Sequence, residues 1–464
     1  MAQRRNWWRR RTRPLVRPWA LAGPIVVLLI CLPLLRPLWS PGVMSGREAA
    51  VLDTAHNLLQ HRGFALDPAH GYPPEAVVTV NGKLLARDPT AFTAAVATLA
   101  WLWGKAGVTF ENNPHLLDYM LTMLISALPT AFGCGLIYRL GRAFDLTRPW
   151  RVGLALACVL ASGWISYATV LLPHAMAIFL VVAAVTAFVH VSRAEWYRAA
   201  SLWLIAAGAC AAAAAAFDPL ALWVLPAVLL GTPFLTKSRR GRFAGIVFVL
   251  LGATIPIALY VGVNPQATGD LLPPRWHATA YAAAGATPGT VIVPSVGDDI
   301  EPVDVSVWVL IGRAINRLLV FTVGSHGIFS HFPVLVIALA GVGTVLRRHW
   351  ALPLKWLAGA TLTALVLVLA YKMIVRVDDV DLDFAAPRLI VLVPVLMLWS
   401  GSWVRRPHGP AAWTAATVAL VVSIVISLLG MTAPAPPGGY AHYTAAEAAG
   451  RLFTPTQTVA TQRR

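Results

Sequence analysis

Glu48 follows the first long apolar run of the chain, on a segment whose spacing (Ala49, Ala50, Leu52, His56, Leu59) predicts an amphipathic helix that also carries Asp53. A carboxylate held where apolar chain meets water acts as a general base when it reaches an acceptor hydroxyl. It can also give one ligand to a divalent cation completed by water and phosphate oxygens. A structural role stays open beside these, because Ser45 three residues ahead of Glu48 has the spacing of a capping box. Several cations and polar groups lie where they would meet an anion. Lys83 and Arg87 fall in Gly82-Lys83-Leu84-Leu85-Ala86-Arg87-Asp88-Pro89-Thr90, where Asp88 reads as the start of the next helix. His326 lies in Gly324-Ser325-His326-Gly327-Ile328-Phe329-Ser330-His331-Phe332-Pro333, directly before an apolar run. That element is either a phosphate-facing helix entrance or a solvated polar turn. Lys372 and Arg388 flank the acidic stretch Asp378, Asp379, Asp381 and Asp383. The acidic stretch by itself reads as a solvated loop, while the planar fork of Arg388 suits phosphate.

The elements that must position these groups are membrane helices. The chain is 58% hydrophobic and 12% charged, a balance foreign to soluble domains of this length. Apolar runs of about 18–22 residues match the span of a hydrocarbon core, and backbone polar groups in lipid must pair within the helix. The runs fall at about 19–38, 116–140, 152–172, 175–191, 201–217, 220–235, 243–263, 332–346, 352–371, 389–403 and 411–429. They predict an all-α integral membrane protein of about 11 crossings. Residues 1–18 form a basic arm, 19–430 the membrane domain, and 431–464 a Pro, Gly and Thr-rich tail whose composition predicts poor order. Arg4, Arg5, Arg9, Arg10, Arg11, Arg13 and Arg17 precede the first run, which places the N-terminus in the cytoplasm. The arginines after alternate runs follow suit, and the odd number of runs leaves the C-terminus outside.

This threading puts eighteen of the twenty Asp and Glu residues outside, leaving Asp145 and Glu195 on the Arg-rich side. Chemistry is therefore expected on the outer face. The apolar segment 90–103, only about fourteen residues long, is read as an interfacial helix in a long first outer loop. The amphipathic segment 305–321, with Arg313, Asn316 and Arg317, is placed at the same interface. The net charge of +17 is spread according to membrane topology, so nucleic acid is not an expected partner. Cys31, Cys134, Cys158 and Cys210 all fall within apolar runs without metal-ligand spacing, as small buried side chains do.

In order and topology, these pieces resemble the GT-C superfamily of polytopic glycosyltransferases, close in pattern to protein O-mannosyltransferases and lipid A aminoarabinose transferases. The resemblance covers roughly residues 19 to 405. It begins with Gly46-Arg47-Glu48 and the helix through Ala55-His56-Asn57-Leu58-Leu59-Gln60-His61-Arg62-Gly63, then continues through the stretch from Asn81 to Thr90. It takes in Leu136-Ile137-Tyr138-Arg139-Leu140-Gly141-Arg142, the element from Gly324 to Pro333, and Ala386-Pro387-Arg388-Leu389 on to Pro394. Two positions depart from the pattern. Arg47 stands where the family has the first acid of a pair, leaving Glu48, and Leu172-Pro173-His174 stands where relatives often carry an acid.

The resemblance implies a polyprenyl-phosphate sugar as donor and a lipid, glycan or protein as acceptor. It also implies transfer on the extracytoplasmic side of a bacterial cytoplasmic membrane. In that picture Glu48 is the base or a metal-associated carboxylate, with Asp53 as a second carboxylate. Arg388 leads the phosphate contacts, supported by Lys83, Arg87, His326 and Lys372. A divalent cation is a candidate cofactor. Two other classes compete: a non-catalytic relative that binds a lipid-linked sugar or scaffolds an envelope complex, and a secondary transporter. Transporters place ionisable groups or broken helices near the midplane and often repeat their halves. Here the ionisable groups crowd the loops, and no duplication of halves is visible.

Overall fold

Long apolar segments in this chain become helices because a helix satisfies its own backbone, and the structure is organised by how those helices approach one another. The computed structural model describes residues 18–35, 46–73, 76–191, 197–235, 238–277, 327–374 and 389–431, with a few positions between 312 and 323. At 197–198 and 371–374 the backbone alone is described.

The chain opens with α1 (Pro18–Leu34). A long loop follows, containing α2 (Gly46–Leu59), the antiparallel hairpin β1 (Val77–Val80) and β2 (Lys83–Ala86), and α3 (Thr90–Lys105). α4 (Pro114–Thr122) and α5 (Leu128–Leu140) run on through a π turn at Met123–Ala127. α6 (Arg148–Leu160) and the short α7 (Trp164–Tyr167) lead into α8 (Pro173–Val191). Then come α9 (Tyr197–Phe217), α10 (Val224–Gly231) and α11 (Arg239–Thr268). The last part holds α12 (Ile328–His331), α13 (Leu335–Arg347), α14 (Leu352–Ile374), α15 (Val393–Leu398), α16 (Ser400–Val404) and α17 (Pro410–Gly430).

Each apolar run expected from the sequence contains helix. Among the described residues, six helices are long and apolar enough to cross a membrane: Pro114–Phe144, Pro173–Val191, Ala199–Phe217, Arg239–Thr268, Leu352–Ala370 and Pro410–Gly430. Four shorter apolar helices accompany them, at Pro18–Leu34, Pro219–Phe234, Leu335–Arg347 and Val393–Val404. The chain is an all-α membrane protein. The segment 305–321 and the tail beyond 431 lie largely outside the described residues.

Small residues allow the helices to close, as expected where lipid offers no hydrophobic drive for helix association. Gly208 of α9 and Gly252 of α11 each lie directly against the backbone of the other helix. A Cβ on Gly208 would lie 2.0 Å from the Val249 carbonyl oxygen, and one on Gly252 2.0 Å from that of Ile205. Gly133 of α5 receives the edge of the buried Trp164 ring. Gly341 of α13 lies against the Trp399 carbonyl, and Ser402 Oγ donates to the Gly341 carbonyl at 2.7 Å. Cys31, Cys134 and Cys158 fill the core as free thiols.

At one end of the bundle the long first loop folds over the helix ends. Its hairpin turns at Asn81 and Gly82, both with positive φ (50° and 76°), the conformation a two-residue Asn-Gly turn requires. Asn81 Nδ2 donates to the Thr268 carbonyl at 2.9 Å, and Thr90 Oγ1 to Asn264 Oδ1 at 2.8 Å. The loop is thus tied to the far end of α11. Beneath it, an apolar floor gathers Val51 and Leu52 of α2, Phe92 of α3, Leu117 and Leu121 of α4, and Leu171, with Met176 and Phe217 packed alongside.

Candidate functional site

Around that floor lie Arg47, Glu48, Asp88 and Asp218, the buried arginine and carboxylate side chains among the described residues. Glu48 lies in the first turn of α2 and is 6% exposed. Its Oε1 accepts the Leu171 amide at 2.8 Å, from the turn that joins α7 to α8. The anchor is 123 residues away in sequence, so the carboxylate bridges the first loop and the turn before α8. Asp118 on α4 lies close enough to feel the charge of Glu48. Beside Glu48, Arg47 closes on Asp88: Nε donates to Oδ2 at 3.2 Å, and a second guanidinium nitrogen donates to Oδ1. Asp88 makes no side-chain cap for α3; a buried guanidinium occupies it instead.

Three residues beyond Leu171, His174 starts α8 fully buried, and its Nδ1 lies 2.8 Å from Asp218 Oδ2. Asp218 sits in the turn after α9, where its Oδ1 also accepts the Leu220 amide at 3.0 Å. Burial opposes ionisation of Asp218, but the hydrogen bond and charge of His174 outweigh it. The charge of Arg275 and the Leu220 amide add to this, and together they hold the carboxyl below its ordinary pKa. Asp218 is therefore the acceptor, and His174 Nδ1–H the donor. Tyr167 meets the His174 ring edge-on, with centroids 4.9 Å apart. Arg275 follows a segment tied back to α11, where Asn264 Nδ2 donates to the Leu272 carbonyl at 2.8 Å.

No protein-family model and no curated protein matches the chain. Solved structures do resemble it. The oligosaccharyltransferase of Archaeoglobus fulgidus in its apo form superposes with a TM-score of 0.51 at 12% identity, over 91% of this chain and 56% of that one. The same organism's oligosaccharyltransferase AglB, in complex with an inhibitory peptide and a dolichol-phosphate, gives 0.50 at 13% identity over 91% and 56%. ArnT from Cupriavidus metallidurans bound to undecaprenyl phosphate gives 0.50 at 13% identity over 89% and 69%. The fold is GT-C. The chain spans about half the length of the oligosaccharyltransferases, 56%, and about two thirds of ArnT, 69%.

Within this GT-C fold, the expected site residues separate. Glu48 is at the inner edge of the first loop. Asp53, five residues on, is turned about 140° around α2 and is partly exposed. It accepts from Tyr72 Oη at 2.6 Å, with His70 Nδ1 3.4 Å away. Burial and then the hydrogen bond to Asp53 push the Tyr72 phenol up from its ordinary pKa. The two carboxylates thus face different surroundings. Lys83 opens β2 and is exposed, while Arg87 is half-buried after β2, its amide donating to the Ala76 carbonyl at 2.9 Å. Arg388 and His326 lie outside the described residues, as does the side chain of Lys372 in α14. From the second polar element, His331 is buried and directs Nδ1 at the Gly327 carbonyl, 2.9 Å away. Among the described residues no three or more His, Cys, Asp or Glu side chains group as a metal site. A divalent cation held by Glu48 and Asp118 would draw the rest of its ligands from water and phosphate oxygens.

Sequence reasoning passed over Asp118, Asp218 and Arg275, and met His174 only as a departure from a pattern. The signal available was positional: Asp118 and Asp218 are single carboxylates at the ends of apolar runs, where an ionisable group is costly unless it has a task.

Proposed function

We propose that this protein is a membrane glycosyltransferase, moving a sugar from a polyprenyl-phosphate donor to an acceptor on the face that carries Glu48. The observation behind this reading is the anchored, buried Glu48 beside Asp118 and the His174–Asp218 pair, at the loop-covered end of a GT-C fold. Counterparts of that fold have been captured with dolichol-phosphate and undecaprenyl phosphate, ligands that arrive through the bilayer.

In the proposed step, the acceptor oxygen attacks the anomeric carbon and the bond from that carbon to the phosphate oxygen breaks. The acceptor proton passes to Glu48, and polyprenyl phosphate leaves with the negative charge. The Leu171 amide on one oxygen of Glu48 fixes the direction in which the carboxylate would meet that proton. Arg388, Lys83, Arg87, His326 and Lys372 are proposed to face the phosphate, and Arg275 joins them as a cation already at the site. Asp53 is retained as a second carboxylate, acting from the outer side of α2. No step is routed through a metal ion. The acceptor is a lipid, glycan or protein, and the setting is a bacterial cytoplasmic membrane with the N-terminus inside and the C-terminus outside.

A second reading, a non-catalytic binder of a lipid-linked sugar, is favoured by one feature: Arg47 stands where the pattern has an acid and is locked onto Asp88. One experiment separates the two. Protein reconstituted in nanodiscs is given a panel of polyprenyl-phosphate hexoses and pentoses together with lipid, glycan and peptide acceptors, and release of polyprenyl phosphate is followed alongside binding. Release that is lost in Glu48→Gln, with binding kept, supports transfer. Binding without release in the wild type supports the binder, and neither binding nor release sinks both.

A further inference from the structure

The opposite end of the bundle carries a second arrangement of charge, independent of the reading above. α13 and α16 are pinned together by Gly341 against the Trp399 carbonyl and by the Ser402–Gly341 hydrogen bond. Both chains run from that contact to the same end, α13 to Arg347 and Arg348, α16 to Arg405 and Arg406. Arg405 is occupied: it pairs with Asp145 at 3.0 Å and stacks over Trp350, its Cζ 5.4 Å from the ring centre. Trp350 in turn meets Phe144 edge-on at 5.9 Å. Asp145 is thereby used up. Arg348 and Arg406 each adjoin this Arg405–Trp350 contact in the chain, at the ends of the two pinned helices, and neither has an acidic partner among the described residues.

Two guanidinium groups carried by neighbouring helix ends without an acidic partner mark a place for an anion, which takes charge-assisted contacts from both. The surroundings say which kind. Leu346 and Leu352, 37% and 54% exposed, flank the Arg347–Arg348 step. On the other side Trp403 stacks on His408 with centroids 3.8 Å apart, and Trp413 and the half-exposed Trp150 continue the aromatic surface. Tryptophans at this level are characteristic of the membrane–water boundary. Above them the outer side of α17 is apolar and exposed through Val418, Val421, Val422 and Val425. A free phosphate would make no use of the leucines or the apolar helix side; a phosphate carrying acyl chains uses all of them.

We propose that Arg348 and Arg406 form a seat for the headgroup phosphate of an anionic phospholipid, with its acyl chains along Leu346, Leu352 and the exposed side of the neighbouring helices. Basic pockets between membrane helices take anionic headgroups in this way. The test is native mass spectrometry of the full chain in a neutral detergent, titrated with phosphatidylglycerol or with phosphatidylcholine. The wild type prefers phosphatidylglycerol. R348Q/R406Q loses that preference, its phosphatidylglycerol affinity falling about thirtyfold at roughly 1 kcal/mol per basic side chain. R348K/R406K, which keeps the charge and guards against a folding defect, retains the preference within about threefold. R239Q/R240Q, which neutralises two exposed arginines at the start of α11, leaves it unchanged. Equal loss in R239Q/R240Q would reduce the seat to general surface attraction and overturn the proposal. So would retention in R348Q/R406Q, a loss in R348K/R406K as deep as in R348Q/R406Q, or displacement of phosphatidylglycerol by millimolar inorganic phosphate.

Discussion

Arg47 and Asp88, 41 residues apart, close on each other as a buried two-point ion pair immediately beside Glu48. Arg47 is 9% exposed and Asp88 1%. The guanidinium that replaces an acid in the expected pair therefore has a structural task, fastening the first turn of α2 to the segment that enters α3. Removing one partner strands the other charge away from water, which costs about 3–5 kcal/mol, whereas replacing both with apolar residues of similar volume costs far less. Arg47→Met and Asp88→Leu should each lower the midpoint of thermal unfolding in detergent, and the double variant should recover most of the loss. Additive losses in the double variant would show that the pair does not act as a unit.

Glu48→Gln should separate chemistry from structure. A glutamine carbonyl still accepts the Leu171 amide, so the fold and the loop anchor survive, while the proton acceptor is gone. Turnover is expected to fall about 10²–10⁴-fold, the usual contribution of general base catalysis, with donor binding within a factor of about two. Glu48→Ala should cost stability as well, about 1–3 kcal/mol, because it leaves a buried N–H without its acceptor. A Gln variant as active as the wild type would remove Glu48 from the chemistry.

The same comparison shows what was legible in the sequence. Length and hydropathy suffice for the helices, since a bilayer imposes both, and the position of Glu48 just past the first run was enough to single it out. The helical period alone turns Asp53 away from Glu48, a consequence that simple proximity in sequence hides. His174, Asp118 and Asp218 were harder, because they come from separate elements (α8, α4 and the turn after α9) and meet their partners only through helix packing. Arg47 looked like a defect in a pattern because its partner lies across a hairpin. No local rule connects position 47 to position 88. The identity of its partner is a property of the tertiary structure.

Packing at the α9–α11 crossing gives a prediction that does not depend on function. A Cβ at Gly252 would fall 2.0 Å from the Ile205 carbonyl oxygen, a backbone atom unable to rotate away. Gly252→Ala must therefore push the helices apart, and overpacking of this kind costs about 1–3 kcal/mol. Gly262→Ala on the same helix meets nothing within 4 Å and should be neutral or slightly stabilising. Melting of the two variants side by side in one detergent checks the claim, and equal behaviour would contradict the close crossing.

The His174–Asp218 pair carries a pH dependence whose sign can be worked out. Asp218 has a folded pKa below its ordinary value, with His174, Arg275 and the Leu220 amide outweighing burial. A depressed carboxyl contributes stability that is in place above its unfolded pKa of about 3.9. That stability is lost as pH falls through the lower folded value. Wild-type protein should hold its melting midpoint from neutral pH down to about pH 4 as far as this group is concerned, then lose stability below it. Asp218→Asn should already be destabilised at neutral pH, by about 3–5 kcal/mol, since it takes the carboxylate from a buried pair. It should also show a flatter acid limb, because the titrating group is absent. If the variant and the wild type lose stability in parallel below pH 4, other carboxylates dominate the acid response. The pair would then be held together by its neutral hydrogen bond and not by its charge.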